Sequence, residues 1–269
     1  MIPKLFGVLD IESIPDPSLP EDQRPQFNES SVNIPKNWVD PFKIAKKIED
    51  ARIEFEAGID KKMATDPDYC MVCCSVGILF KNGKPEMNMH TPMLSFSAVD
   101  EMQQYILIEN AWNFVRNCYQ EQIPLVTFNG LSFDLPVLIR RAMYSDIPIA
   151  PQMIANLMRR QDQNHFHYDL MQLLGLRSPF SGKVECKGLN YFLKRFGLGS
   201  KTAGMDGSMV YPMFKEGQHE EIMEYCKQDV IKTGELFVRV APWLVAPSRE
   251  AIDESAAKRT PPASISAAA

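Results

Sequence analysis

The stretch Leu5-Phe6-Gly7-Val8-Leu9-Asp10-Ile11-Glu12-Ser13 is a hydrophobic run that carries two carboxylates one residue apart. Such a run predicts a buried β-strand. Because side chains alternate between the faces of a strand, Asp10 and Glu12 should project to one side while Ile11 turns into the core. Two like charges placed in this way repel unless a cation lies between them, and oxygen ligands suit Mg²⁺ or Mn²⁺ better than zinc. The alternative is a strand end with two solvated carboxylates.

Composition predicts a soluble globular chain of 269 residues with one large core. The net charge of −5 leaves nucleic-acid binding open, because a nuclease needs only a local basic rim. No stretch approaches the roughly 20 apolar residues of a membrane span, and the first strand does not resemble a signal peptide. The six cysteines fit a reducing compartment, so we expect a cytoplasmic protein with ordinary, mostly buried thiols.

An insertion of about residues 15–67 follows the first strand. It combines an irregular proline-rich stretch with an amphipathic helix that begins at Asp40 and ends before Pro67. This helix either packs on the domain edge or forms a flap that helps to hold substrate. Further along, the pattern predicts strands at 72–80 and near 86–90 with a turn at 81–84, then a helix opened by Ser97 and Asp100.

A second informative stretch runs from Leu125 to Pro136. A buried strand should end at Phe128, Asn129-Gly130 makes a turn, and Asp134 falls at the start of a helix. Asp134 could be an N-cap without chemical meaning, or a carboxylate at a catalytic site. Residues 167–170 predict a short strand that turns into a helix, with Asp169 as the cap.

The third stretch, residues 220–230, lies in a helix with one apolar stripe. Tyr225 and Asp229 are four residues apart, so they share a helix face and can address the same point in space. The alternative is a surface tyrosine beside a solvated aspartate.

In this order, the D-x-E, N-x-x-x-F-D and Y-x-x-x-D motifs resemble those of the DnaQ-like 3′-5′ exonucleases, in the DEDDy subgroup with a motif tyrosine. The chain looks most similar to stand-alone predicted exonucleases related to the proofreading domain of family B DNA polymerases. The resemblance covers roughly Leu5 to Val240. The sister subgroup has a histidine where Glu224 stands, which supports the tyrosine subgroup.

The resemblance implies that two divalent cations, Mg²⁺ or Mn²⁺, are held by the four carboxylates Asp10, Glu12, Asp134 and Asp229. Tyr225 would orient the attacking water, because its reference pKa near 10 makes it a poor general base. Two metals roughly 4 Å apart can serve both the attacking water and the leaving 3′ oxygen of a phosphodiester. The implied reaction releases 5′-mononucleotides from the 3′ end of DNA, with single strands as the expected substrate.

The implied fold is α/β and ribonuclease H-like, with a central mixed five-stranded sheet and helices on both faces. Three leading antiparallel strands and two parallel ones should make up this domain over residues 1–243. The Ala-, Ser- and Pro-rich tail at 244–269 is predicted to be disordered.

Several residues are candidates for substrate contact. Ser13 stands where other branches carry threonine, and Asn129 and Phe133 belong to the second motif, although Phe133 could equally pack in the core. The densest basic stretch, a candidate for phosphate contact, comprises Lys183, Lys187, Lys194, Arg195 and Lys201.

Two other functions are compatible with the same residues. One is a 3′-5′ exoribonuclease with the same chemistry, because the carboxylates bind metals rather than sugars. The other is an inactive nucleic-acid-binding or polymerase-accessory domain, which would usually have lost a carboxylate. The partner is nucleic acid with a free 3′ end, and a replication or repair protein could dock on the insertion, which we expect to narrow access to single-stranded ends.

Overall fold

A computed structural model describes residues 3–86, 101–159, 166–175, 186–200 and 205–245. Its centre is a sheet of five strands: β1 (Leu5–Pro15), β2 (Cys70–Lys81), β3 (Lys84–Glu86), β4 (Leu125–Thr127) and β5 (His167–Asp169). Their order in the sheet is β3-β2-β1-β4-β5. The first three strands pair antiparallel, and β4 and β5 continue the sheet in parallel. The α/β class and the mixed five-stranded sheet expected from the sequence are confirmed.

Helices cover both faces of this sheet. The helices are α1 (Pro41–Thr65), α2 (Glu101–Gln120), α3 (Asp134–Tyr144), α4 (Pro151–Leu157), α5 (Leu170–Leu174), α6 (Leu189–Arg195), α7 (Val210–Lys215) and α8 (His219–Leu244). One face of the sheet carries α2 and α3, and the other carries α8 with shorter helices beside it.

The alternation of β1 divides the core into two parts. Phe6 and Val8 pack in the cluster under α8, whereas Leu9 and Ile11 pack in the cluster under α2 and α3. Because side chains alternate along the strand, Asp10 and Glu12 lie on the same side of β1 as Phe6 and Val8, toward α8. The sequence allowed a strand that ends at the two carboxylates. Instead the strand continues to Pro15, so both carboxylates lie within it.

A bulge interrupts the β1–β2 ladder beside the second carboxylate. Glu12 pairs with Cys74, and the next residue, Ser13, pairs with Val72. The intervening Cys73 is the extra residue, so Cys73 and Cys74 both pack in the cluster under α8. Cys70 packs in the opposite cluster. The thiols of Cys70 and Cys73, which form a C-x-x-C sequence, therefore lie on different faces of the sheet.

The turn after β2 lies where the sequence predicted it. Asn82 and Gly83 have φ values of 51° and 78°, the left-handed pair that a two-residue hairpin requires. The third strand begins earlier than expected, because pairing resumes at Lys84 directly after the turn. The remainder of the predicted strand, residues 87–90, lies outside the described residues.

Helix α1 begins where the sequence predicted its start, and the Asp40 carboxylate caps it by accepting a hydrogen bond from the Phe42 amide at 2.9 Å. Its apolar stripe is largely unburied, however: Phe42 is 89% exposed and Ile53 is 56% exposed. Met63 is the residue of α1 that is buried, so the helix is attached to the domain mainly by its C-terminal end.

Some predictions fall on residues that the structure does not describe. These are the capping residues of α2 at 97–100, Lys183 and Lys201 of the basic stretch, and the tail from residue 246 onward. Within the described ranges, no helix combines the length and apolar character that crossing a bilayer would require.

Candidate active site

Asp10 and Glu12 lie side by side on the α8-facing side of β1. Glu12 is 9% exposed and Asp10 is partly buried, so both have lost much of their water. An oxygen of each lies within 4.8 Å of the other and of the Cys226 sulfur. The interpretation as a solvated strand end is therefore wrong, and the pair forms a half-buried concentration of negative charge.

Helix α8 brings Tyr225 and Asp229 against this pair. Both side chains are buried, which rules out a surface tyrosine beside a solvated aspartate. The pKa of Tyr225 lies well above its ordinary value because of burial, the charges of Glu12, Asp229 and Asp10, and a hydrogen bond with Asp229. The phenol therefore keeps its proton, and its hydroxyl acts as a hydrogen-bond donor rather than as a base.

Asp134 reaches β1 from the opposite side. Its carboxylate accepts a hydrogen bond from the Ile11 amide at 3.1 Å, between the two carboxylates of the strand. The residue is the first of α3, and Phe133 occupies the N-cap position, so Asp134 is not the cap that the sequence allowed. Burial raises the pKa of Asp134 to about 7, partly offset by amide hydrogen bonds.

Asp169 organises the loop that leads into α3. It caps α5, as predicted, through the amides of Met171 and Gln172. The same carboxylate also accepts from the amides of Asn129, at 3.0 Å, and Leu131, at 2.9 Å. One buried aspartate thus connects the loop of the second motif, before α3, to the start of α5.

The turn in this loop has strict backbone requirements. Asn129 has a φ of 70°, in the left-handed region that asparagine tolerates better than most residues. At Gly130, an added Cβ would lie 2.3 Å from the Thr127 hydroxyl oxygen, so only glycine fits beneath the strand. These constraints hold the chain in the path that delivers Asp134 to β1.

The predicted substrate contacts occupy different environments. The Ser13 hydroxyl is buried and donates to the Ala64 carbonyl, a bond that joins β1 to α1. Asn129 and Phe133 are partly buried, and Phe133 packs against the core under α2 and α3. Lys187, Lys194 and Arg195 are exposed around α6. Contact between any of these residues and substrate stays a prediction.

Cys226 is the residue at this centre that the sequence analysis did not single out. It is fully buried, and its sulfur lies 3.5 Å from Asp10 Oδ2 and 3.6 Å from the Asp10 carbonyl oxygen. Burial, with Cys74, Asp10 and Glu12 nearby, raises the pKa of the Cys226 thiol. Its place between Tyr225 and Asp229 in the third motif could have indicated that Cys226 lies at the site. Its position on the apolar stripe of the helix indicated core packing instead.

The donor set fits a divalent cation. Asp10 and Glu12 supply oxygen ligands from one strand, and Asp229 and Asp134 lie on helices that contact the same strand. Neither Asp134 nor Asp229 belongs to the compact three-atom group of Asp10, Glu12 and Cys226 within the described residues. Hard carboxylate oxygens in this number are the ligands that Mg²⁺ and Mn²⁺ prefer.

A comparison with protein families matches residues 71–258 to the predicted 3′-5′ exonucleases related to the exonuclease domain of PolB. The chain belongs to this family. Exonuclease domains of this kind use divalent metals and act on nucleic acid. The match includes Asp134, Tyr225 and Asp229 but begins after β1, so Asp10 and Glu12 are placed at the centre by the sheet register and not by the match. No curated protein matches the chain.

Proposed function

We propose that this protein is a metal-dependent 3′-5′ exonuclease that releases 5′-mononucleotides from the 3′ end of DNA, with single strands preferred. The observation that carries the proposal is the convergence of carboxylates from three separate segments on β1. Asp10 and Glu12 come from the strand, Asp134 is bonded to Ile11 between them, and Asp229 approaches on α8 beside Tyr225.

The proposed metal ligands are Asp10, Glu12, Asp134 and Asp229. Two bound divalent cations would lower the pKa of a water molecule and stabilise the leaving 3′ oxygen. The burial of Glu12, Asp134 and Asp229 strengthens their attraction for a cation, because little water competes with it. The ionised form of Asp134, disfavoured by burial, would be restored by the charge of a bound cation.

Tyr225 has a positioning role in this proposal. Its hydroxyl is hydrogen-bonded to Asp229 and stays protonated, so it is suited to hold the attacking water by a hydrogen bond rather than to remove its proton. Asn129 and Phe133 follow directly on β4 and its turn, close to Asp134, which favours contact with the terminal nucleotide. Lys187, like the other exposed cations near α6, would contact phosphate.

The test is digestion of matched 3′- and 5′-labelled single-stranded DNA and RNA with Mg²⁺, Mn²⁺ or EDTA. We expect shortening from the 3′ end that requires metal and is lost in Asp10→Ala and Asp229→Ala. Asp206→Ala is the matched control, because Asp206 is exposed and caps a short turn. Faster digestion of RNA would reassign the substrate, and no product from folded wild-type protein would refute the nuclease.

We further propose that the insertion at 15–67 narrows access to single-stranded 3′ ends. The Ser13–Ala64 hydrogen bond attaches it to the strand that carries both carboxylates. Deletion of residues 20–38, which leaves α1 intact, should increase cleavage of recessed double-stranded 3′ ends relative to single strands. An unchanged ratio of the two rates would contradict this role.

The free thiols of all six cysteines support a reducing, cytoplasmic setting.

A further inference from the structure

The carboxylate pair on β1 has a sulfur atom as its neighbour. Ligand atoms of Asp10, Glu12 and Cys226 all lie within 4.8 Å of one another, and no other such group of three occurs among the described residues. The Cys226 thiol donates a hydrogen bond to Asp10 Oδ2, one of the oxygen ligands proposed above for Mg²⁺, and supplies no ligand to that cation itself. A sulfur donor shifts the preference of a site toward zinc, cadmium and cobalt.

The distance between the Cys226 sulfur and Asp10 Oδ2 matches the separation of two ligands around a tetrahedral cation. With a Zn–S bond near 2.3 Å and a Zn–O bond near 2.1 Å, tetrahedral ligands lie about 3.6 Å apart. The Cys226 sulfur lies 3.5 Å from Asp10 Oδ2. Glu12, on the same face of the strand, supplies the next oxygen, and water or substrate could complete the coordination.

We propose that Asp10, Glu12 and Cys226 form a binding site for a thiophilic divalent cation of the zinc class, which overlaps the proposed catalytic centre and inhibits Mg²⁺-dependent cleavage. On binding, the cation takes the place of the thiol proton, which passes to solvent, and no atom changes oxidation state. The inhibition rests on the proposed function, whereas the binding site itself does not.

The alternative sulfur donor is Cys74, whose side chain is hydrogen-bonded to Cys226. Cys74 is also buried, and it pairs with Glu12 across the β1–β2 ladder. It is not a member of the three-atom group, so the proposal assigns the cation to Cys226. Variants at the two cysteines distinguish these assignments.

The experiment measures thiolate-to-metal charge-transfer absorption while Cd²⁺ or Co²⁺ is added to the full-length protein. Cys186→Ser is the background, because Cys186 is the exposed cysteine and would bind such ions at the surface. We expect a saturable band in this background, loss of the band when Cys226→Ser is added, and retention when Cys118→Ser is added. Cys118 is a matched control, since it is buried in the opposite core.

A folded Cys186→Ser protein without the band would overturn the proposal, and so would a band that survives Cys226→Ser but disappears in Cys74→Ser. Circular dichroism checks the fold of each variant, and Cys226→Ala replaces the serine variant if that one unfolds. In cleavage assays, Cys226→Ser should need about 10- to 100-fold more Zn²⁺ for half-inhibition, relative to its own Mg²⁺ rate. A protein that shows the band but never cleaves nucleic acid would refute the nuclease and leave the cation site in place.

Discussion

Replacement of Asp169 by alanine should destabilise the protein and slow cleavage although the residue binds no metal in our proposal. The Asp169 side chain is fully buried and accepts from four backbone amides. The hydrogen bonds to Met171 and Gln172 cap α5, and such a cap contributes about 1 kcal/mol. Those to Asn129 and Leu131 hold the loop before α3, and each bond to a charged acceptor contributes about 1.5 kcal/mol or more. The expected loss in Asp169→Ala is therefore about 4 kcal/mol.

Asp169→Asn provides a graded comparison. The asparagine keeps one acceptor oxygen, now without a formal charge, for three of the amides. Its NH₂ group faces the fourth amide, so one hydrogen bond is lost and two donors oppose each other. We expect a loss of about 2 kcal/mol, near half that of the alanine variant. Asp206→Ala is the matched control: its exposed carboxylate caps a turn through Ser208 and should contribute at most about 1 kcal/mol.

The assay is urea unfolding followed by far-ultraviolet circular dichroism, combined with cleavage rates at saturating Mg²⁺ well below the unfolding midpoint. Because the loop delivers Asp134 to β1, the maximal rate should fall in Asp169→Ala even where the protein is fully folded. If Asp169→Ala unfolds at the same urea concentration as Asp206→Ala, the reasoning about the buried acceptor is wrong.

Tyr225→Phe removes the hydroxyl bonded to Asp229 and should lower the maximal cleavage rate about 10- to 100-fold, while the Mn²⁺ affinity measured by calorimetry stays unchanged. Burial lowers the pKa of His167 in the folded protein. Below about pH 6.5 the unfolded chain therefore binds a proton that the folded protein does not, and the free energy of unfolding decreases as the pH is lowered. Urea unfolding of His167→Gln should show a shallower loss over that range. In Gly234→Ala the new Cβ would lie 2.2 Å from Phe80 Cζ, so α8 must shift from the sheet, and thermal unfolding should report a loss of about 1–3 kcal/mol; an unchanged midpoint would contradict this packing.

Much of the fold could be predicted because local signals agree with the tertiary arrangement. The first strand, the Asn82-Gly83 turn, the Asp40 cap and the Asp169 cap all lie where residue types demand them. Burial could not be predicted in the same way. The sequence left open whether α1 packs on the domain edge or forms a flap, and the exposure of Phe42 shows that much of its apolar stripe is uncovered. Periodicity reveals which residues share a face and not whether another element covers it.

Asp10 and Glu12 share a face of β1, and Tyr225 and Asp229 share a face of α8. Both relations could be predicted from the residue order, because they follow from the periods of a strand and a helix. Which of these faces meet depends on tertiary packing. It placed Asp134 on the Ile11 amide instead of at a helix cap, and it brought the Cys226 sulfur to Asp10 across 216 residues of chain. Contacts between distant segments depend on how the layers pack, and no local pattern carries that information.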